Sequence, residues 1–279
     1  MQPKFFDAHT HANLAAFSGD YKETINRALS SGVGLVNIGT QKDTSLRAVE
    51  IAREFTREPV FATIGLHPTH THEDDFHDEH ELAVSTGASE EFDHDLYKKM
   101  ALDPKVVAIG ECGLDYFRLS GDTEEKKEKQ KKVFVEQIKL AHEIKKPLMI
   151  HCRSAFPELI EALEENKGLL NEKPGIIHFM SGTKDEAKKL ADLGFYFTFG
   201  GVITFARDYD EIIRFLPMER ILSETDAPYV SPAPYRGKRN EPAYVIEVVK
   251  RLAEVRGVPF GEICGKIVQN TARALNIDF

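Results

Sequence analysis

The sequence predicts an α/β protein folded as a (β/α)8 barrel of the TIM type. Short apolar segments alternate with helical patterns along the whole chain, eight such segments can be counted, and five of them end in a histidine or a carboxylate. The carboxyl ends of parallel strands lie on one side of a sheet, so these polar side chains can converge at one barrel mouth. An open, doubly wound sheet is the alternative, but it concentrates its site at a single crevice.

Length and composition favour a single domain. The chain has 279 residues, of which 42% are apolar and 29% are charged, and α/β barrels often reach this size as one unit. We therefore expect residues 1–279 to form one barrel domain. Three dispersed cysteines argue against a disulfide framework, and no apolar stretch approaches the roughly 18 residues needed to span a bilayer. The protein is expected to be soluble and cytoplasmic, with no membrane attachment and no obligate protein partner.

The negative charge is concentrated in one segment. Residues 72–95 contain ten Asp or Glu and no Lys or Arg, whereas the whole chain carries −9, so the remainder is nearly neutral at +1 (−9 minus −10). Net charge therefore gives little reason to reject a polyanionic substrate. A stretch at about 69–95, which also holds five histidines, is predicted to be an insertion in a loop. We favour a solvated insertion over a metal-scavenging or substrate-gating flap, because loops on this barrel face vary freely.

Each strand is predicted from a short apolar segment. The eight strands lie at 5–8, 33–38, 60–64, 106–110, 147–151, 175–179, 195–200 and 220–225. Strands that alternate with helices indicate parallel pairing through right-handed crossovers.

The helices are predicted from apolar spacing and from end signals. They lie at 20–31, 43–57, 90–101, 122–145, around 187–193, 241–256 and 260–275. The clearest one is 122–145, where Asp122 or Thr123 can serve as the N-cap and acidic residues crowd the first turn. Gly194 ends the helix around 187–193.

The first candidate metal ligands are His9 and His11, which follow the first strand. Side chains two residues apart on a strand point to the same face, so both imidazoles can bind one ion. A lone His-x-His pattern is weak evidence. Here the pair ends a strand and has candidate partners elsewhere, so we favour the ligand interpretation over a packed or exposed histidine pair.

Further candidates end the fourth, fifth, sixth and eighth strands. Glu111 has two oxygens and can bridge two cations about 3.5–4 Å apart. His151 and His178 are natural ligands for a second ion, because each would otherwise need a hydrogen-bond partner inside the barrel. Asp226 can bind metal through one oxygen and accept a proton from an attacking water through the other, which makes it the candidate general base. Glu224 lies two residues earlier, on the same strand face. It could hydrogen-bond to a metal ligand or serve as an additional ligand itself.

Seven short motifs occur in order along the chain. They are FDAHTH at 6–11, GLHP at 65–68, GECGLDY at 110–116, HCR at 151–153, HFMSG at 178–182, ETDAPY at 224–229 and RGKRNEP at 236–242. Together they are specific, and in them the chain resembles the TatD-type metal-dependent hydrolases, a family within the amidohydrolase-like barrels. Two departures, Ser154 and the pair Phe179-Met180, touch no proposed ligand but put the substrate preference in question.

The resemblance implies a metal-dependent phosphodiesterase, commonly a deoxyribonuclease. It implies that one ion is held by His9, His11, Glu111 and Asp226, and the other by Glu111, His151 and His178. It also implies that the mouth is lined by His67, Asp115, Arg118 and Arg153. Loop cations, among them Arg118, Arg153 and Arg239, could form a phosphate-binding collar, with scattered surface charge as the alternative.

The expected reaction is hydrolysis of DNA. Two divalent cations (Mg, Mn or Zn) would acidify the attacking water, with Asp226 and Glu111 as the catalytic carboxylates. Neither a zinc finger nor a basic helix is present, so binding of strand ends or single strands fits better than sequence readout. Cys112 and Cys152 should turn away from the neighbouring ligands and pack behind the site.

Two other functions remain open at this stage. A small-molecule amidohydrolase or esterase would use a similar site, but many such enzymes bridge their metals with a carboxylated lysine where this chain has Glu111. A non-catalytic metal-binding protein is less consistent with the sequence, because every expected ligand and a candidate base are present.

Overall fold

A computed structural model describes residues 2–72, 89–117, 119–121 and 123–278. Eight parallel strands form one sheet in which each strand pairs with its neighbours in sequence, in the order β1 to β8. The strands are β1 Phe5–Thr10, β2 Val33–Asn37, β3 Val60–Ile64, β4 Val106–Asp115, β5 Leu148–Arg153, β6 Gly175–Ile177, β7 Tyr196–Phe199 and β8 Ile221–Ser223. The predicted α/β barrel is confirmed.

Helices separate the strands, as the alternation predicts. They are α1 Tyr21–Ser30, α2 Lys42–Glu54, α3 His94–Ala101, α4 Thr123–Ile144, α5 Phe156–Glu165, α6 Lys184–Asp192, α7 Asp210–Phe215, α8 Val245–Arg256 and α9 Phe260–Leu275. Local signals account for several ends. A capping box of Thr183 and Glu186 begins α6, and Gly257 with φ 64° ends α8. The helices α5 and α7 were not delimited by the sequence patterns.

Two apolar clusters form the core. The larger one lies between the strands and the surrounding helices. The smaller one joins buried side chains of the strands, such as Phe6 and Leu222, to Val268 and Leu275 of α9. The helix α9 therefore packs against the strands through apolar side chains.

Contacts between the ends of β8 and β1 bring the barrel nearly to closure. The Asp7 carboxylate accepts hydrogen bonds from the backbone N–H of Thr225 at 2.8 Å and from its hydroxyl at 2.5 Å. Further along, the Asp226 N–H donates to the carbonyl of His9 at 2.9 Å, and the His11 N–H donates to the carbonyl of Ala227 at 2.8 Å. This seam places the first histidine pair beside Asp226.

The strand β4 differs from its prediction, because it continues past Glu111 to Asp115. Gly110 and Gly113 explain the extension. A Cβ on Gly110 would lie 2.3 Å from the Met149 carbonyl oxygen, and one on Gly113 would lie 2.0 Å from the His151 carbonyl oxygen. Only glycine permits this close pairing of β4 with β5, and both residues have positive φ.

The predicted insertion at 69–95 lies partly outside the described residues, namely at 73–88. Its two described ends meet, since the Glu90 N–H donates to the His70 carbonyl at 2.8 Å. The Glu90 carboxylate also accepts from the Tyr97 hydroxyl at 2.8 Å and from the Lys42 N–H at 3.0 Å, which anchors this end on α2 and α3. Across the described parts of the chain, no helix is long and apolar enough to cross a membrane.

Candidate metal centre

The first group of predicted ligands surrounds the imidazole pair at the end of β1. His9 Nε2 and His11 Nε2 are 3.2 Å apart. Asp226 Oδ1 lies 3.7 Å from the first nitrogen and 3.3 Å from the second. Glu111 Oε2 lies 3.5 and 3.8 Å from the same two atoms. Residues from β1, β4 and the segment after β8 thus converge on one point.

The second group faces the other oxygen of the same glutamate. Glu111 Oε1 lies 3.0 Å from His151 Nδ1 and 3.1 Å from His178 Nε2, and these two nitrogens are 3.3 Å apart. His67 Nε2 is 3.5 Å from the same oxygen. The sequence placed His67 among the substrate-binding residues, but the geometry makes it a further candidate ligand.

The spacing and the chemistry of both groups fit divalent cations. Ligand atoms about 2.1 Å from an ion lie about 3.0 Å apart at octahedral angles and about 3.4 Å apart at tetrahedral angles. The separations between ligand atoms run from 3.0 to 3.8 Å, so the shortest match these edges and the longest exceed them by about 0.4 Å. Imidazole nitrogens and carboxylate oxygens suit zinc, manganese, or magnesium with added water. Because the oxygens of Glu111 face different groups, this one carboxylate can bridge two ions.

The charges at the cluster are strongly coupled. Burial opposes ionisation of Glu111, but the surrounding histidines hold its pKa well below the ordinary value. Burial also disfavours protonation of His178, yet nearby carboxylates raise its pKa well above the ordinary value. The pKa is raised at His11 and His151 as well, where hydrogen bonds to carboxylates outweigh burial. Ionisation of Glu111 and protonation of His11, His151 and His178 are therefore favoured, whereas burial lowers the pKa of His9 and of His67. A bound cation would displace the imidazole protons.

Asp226 is the carboxylate of the first group that reaches towards solvent. Its side chain is 17% exposed, compared with 5% for Glu111. Burial opposes its ionisation, but the hydrogen bond to His11 and the nearby histidines lower its pKa. The residue has φ 55°, a conformation that aspartate tolerates better than most residues. The prediction that strand alternation aligns Asp226 with Glu224 is wrong, because β8 ends at Ser223.

A buried amide holds the segment around Asp226. Asn240 is fully buried, and its Nδ2 donates to the carbonyls of Thr225 at 2.9 Å and Tyr229 at 2.7 Å. Its Oδ1 accepts from the Glu241 N–H at 2.9 Å. Sequence reasoning missed this role, although Asn240 lies in the RGKRNEP motif. A polar residue in such a motif suggests an exposed or substrate-binding position, so the motif alone does not show that Asn240 is buried.

Of the predicted substrate residues, Asp115 contacts the second group, and Arg153 follows His151 by two residues in β5. Asp115 Oδ2 is 3.0 Å from His151 Nε2, and its Oδ1 accepts from the Phe117 N–H at 3.0 Å. Burial opposes its ionisation, but the hydrogen bond to His151 brings its pKa to about 2. This contact orients the His151 ring from the side that faces away from Glu111. Arg153 lies with its guanidinium carbon 3.7 Å from the ring centre of Phe117, and that ring is 55% exposed.

Arg239, a further predicted substrate residue, is held by groups outside the two ligand clusters. Arg239 donates to both oxygens of Asp20, at 2.8 and 2.6 Å, and to the carbonyl of Ala16 at 2.7 Å. These contacts give Arg239 a structural role, and its binding of substrate stays a prediction. Arg118 lies outside the described residues.

The cysteines beside the ligands pack in the core. Cys112 is fully buried and Cys152 is 5% exposed. Burial raises the pKa of the Cys112 thiol well above its ordinary value, so this residue lacks the thiolate that a nucleophile needs. The expectation that both cysteines pack behind the site is confirmed.

Comparison with known proteins agrees with this geometry. Residues 6–276 match the model of the TatD related DNase family. The chain is 35% identical to the uncharacterized metal-dependent hydrolase YabD of Bacillus subtilis over 98% of this chain and 99% of that one. It is 33% identical to the 3'-5' ssDNA/RNA exonuclease TatD of Escherichia fergusonii, over 90% of this chain and 91% of that one.

Solved structures share the fold. YjjV, a TatD homologue from Escherichia coli, matches with a TM-score of 0.83 and 29% identity over 100% of both chains. The phosphotriesterase homology protein of the same organism matches with a TM-score of 0.58 and 17% identity, over 91% of this chain and 92% of that one, which shows a common fold alone. Since the family model spans nearly the whole chain, this protein belongs to the TatD family of metal-dependent hydrolases.

Proposed function

We propose that this protein hydrolyses phosphodiester bonds in single-stranded nucleic acid, most readily DNA, with two divalent cations. The observation that carries the proposal is the position of Glu111, whose Oε2 faces His9 and His11 while its Oε1 faces His151 and His178. A carboxylate that lies between two groups of imidazole ligands can hold two cations side by side, as two-cation hydrolysis needs.

The proposed reaction assigns a separate role to each of these residues. His9, His11, Glu111 and Asp226 would hold one cation, and Glu111, His151 and His178 the other, with His67 in reach of the second. Cations bound there would acidify water and stabilise the negative charge that builds on a phosphoryl group. Asp226 has the exposure and the ionised state to take the proton from the attacking water.

The surroundings favour a nucleic acid over a small ester. Two residues along the chain from His151 and Asp115, the Arg153 guanidinium and the exposed Phe117 ring offer a cation for a phosphate and an aromatic face for an unpaired base. The relative named 3'-5' ssDNA/RNA exonuclease supports the same class. A small-molecule amidohydrolase is the second candidate, because its ligand set would be similar. The cytoplasmic location expected from the sequence stays a prediction.

The test compares substrates and variants with the same metal-reconstituted protein. Single-stranded DNA, duplex DNA and a small carboxylic ester are offered in the presence of Mg²⁺, Mn²⁺ or Zn²⁺. We expect hydrolysis of the single strand, its loss on chelation, and a decrease of at least about 100-fold in Asp226→Asn, in line with loss of a general base. Asp192→Asn removes an exposed carboxylate that pairs with Lys188 on α6, and should leave turnover unchanged.

Three outcomes would contradict the proposal. Ester hydrolysis without DNA cleavage would favour the amidohydrolase. Activity that survives chelation would remove the cations from the mechanism. A cation-loaded protein without turnover on any substrate would support a binding function.

A further inference from the structure

Glu224 lies behind the two ligand groups and takes no direct part in either. Its side chain is fully buried. Oε1 accepts a hydrogen bond from the Phe179 N–H at 3.0 Å, which holds the carboxylate against the segment that carries His178. Oε2 lies 3.5 Å from His178 Nδ1. The glutamate therefore faces the ring nitrogen of His178 that points away from Glu111.

Three buried polar atoms belong to residues that meet at this place. Glu224 Oε2, His9 Nδ1 and His178 Nδ1 are buried, and among the described residues none of them has a partner in ideal hydrogen-bond geometry. One ligand atom from each of these residues lies within 4.8 Å of the others. The imidazoles of His9 and His178 stack in parallel, with ring centres 3.8 Å apart and an angle of 12° between their planes. One carboxylate thus faces two stacked rings.

We infer that Glu224 accepts a hydrogen bond from both His9 and His178, one histidine from each group, and so supports both cation sites. The inference rests on the proposed binding of cations. Nε2 of each ring faces its ligand group, so a ring that binds a cation through Nε2 carries its proton on Nδ1. A buried N–H without an acceptor costs about 1–3 kcal/mol, and a single carboxylate oxygen has lone pairs for both.

The same three atoms could in principle hold a third cation. That arrangement would require both rings to lose the Nδ1 proton while Nε2 is already bound, which gives two imidazolate anions in a buried place. Two N–H groups that donate to one carboxylate keep the rings neutral. This hydrogen-bonded arrangement is the one by which ligand histidines are generally oriented in metal sites.

Glu224 is therefore a positioning residue for both groups at once. A residue that orients His178 alone would affect the second group only. A shared residue predicts that its loss weakens both sites, although neither cation touches it.

The test measures cation binding in the absence of substrate, by titration calorimetry of metal-stripped protein with Mn²⁺ or Zn²⁺. The wild type should bind two equivalents. Glu224→Gln keeps the shape and the acceptor for the Phe179 N–H, but turns an NH2 towards the two ring N–H groups. We expect both affinities to fall about 10- to 100-fold. Glu224→Asp keeps the charge but withdraws the oxygen, and should also weaken both sites.

Two further measurements separate a hydrogen bond from a loss of charge. Histidine ¹⁵N NMR of the cation-loaded wild type should show Nδ1–H on both rings, with both signals displaced in Glu224→Gln. Glu143→Gln, which removes an exposed carboxylate outside the cluster that pairs with Lys98, should change neither affinities nor spectra.

Several outcomes overturn the inference. They are full affinity in Glu224→Asp, weakening of one site only, unchanged histidine signals, and three equivalents in the wild type. A wild type that binds two cations but cleaves no nucleic acid would refute the proposed function alone. A wild type that binds no cation would refute both.

Discussion

Replacement of Asn240 by alanine tests how the segment around Asp226 is held in place. The substitution removes the two hydrogen bonds from Nδ2 to the carbonyls of Thr225 and Tyr229, at 2.9 and 2.7 Å. The hydrogen bond to Thr225 is buried, and the one to Tyr229 is partly buried. An unsatisfied buried acceptor costs about 1–3 kcal/mol, so we expect the free energy of unfolding to fall by about 2–4 kcal/mol.

The same change should also reach the first cation group. The two carbonyls flank Asp226, whose Oδ1 lies 3.3 Å from His11 Nε2. Release of the segment shifts this carboxylate, and a displacement near 1 Å in a catalytic group can reduce turnover about 100-fold. We therefore expect Asn240→Ala to weaken one cation site and to lower the turnover of a phosphodiester by about 10- to 100-fold.

Asn270 in α9 provides a matched control at the opposite end of the same strand. It is also fully buried, and its Nδ2 donates to the carbonyls of Met218 at 2.7 Å and Ile221 at 3.0 Å, where β8 begins. Asn270→Ala should lose similar stability but keep cation affinity and turnover in the folded protein.

Three measurements compare the stability, cation affinity and turnover of the two variants. They are denaturant unfolding in EDTA, Mn²⁺ titration, and hydrolysis of bis(p-nitrophenyl) phosphate at a temperature where both variants are folded. Equal impairment of the site in Asn270→Ala and Asn240→Ala would refute a specific role of Asn240 in positioning Asp226. Destabilisation of Asn240→Ala with unchanged cation affinity and turnover would refute it too.

Three further predictions concern the second group and its surroundings. Cation affinity should rise from about pH 6 to pH 8, because the raised pKa values of His151 and His178 make protons compete with the ion; a flat calorimetric profile would contradict this. Phe117→Leu should raise KM for a single-stranded oligonucleotide about 5- to 10-fold and leave a small diester unaffected, with Phe117→Tyr as the control; equal effects on both substrates would argue against base stacking. Gly113→Ala should destabilise the protein by more than about 2 kcal/mol and weaken cation binding, since its Cβ would meet the His151 carbonyl oxygen at 2.0 Å; a stable variant with full affinity would show that β4 can shift freely.

The sequence by itself determined the strand order and the positions from which ligands could come. Apolar segments that alternate with helical patterns are local signals, and each of the eight strands overlaps its predicted range. The ends were less predictable. β4 continues to Asp115 because Gly110 and Gly113 allow β5 to approach closely, and β8 is shorter than predicted, since it ends at Ser223.

Only the tertiary structure decided what each polar side chain contacts. The Nε2 atom of His67 lies within reach of Glu111, and the guanidinium of Arg239 is held by Asp20. Asn240 and Glu224 acquire their roles from chain segments distant in sequence. The physical reason is range: periodicity and capping act over a few residues, whereas atom-to-atom distances depend on register, on barrel closure and on backbone turns such as the positive φ of Asp226.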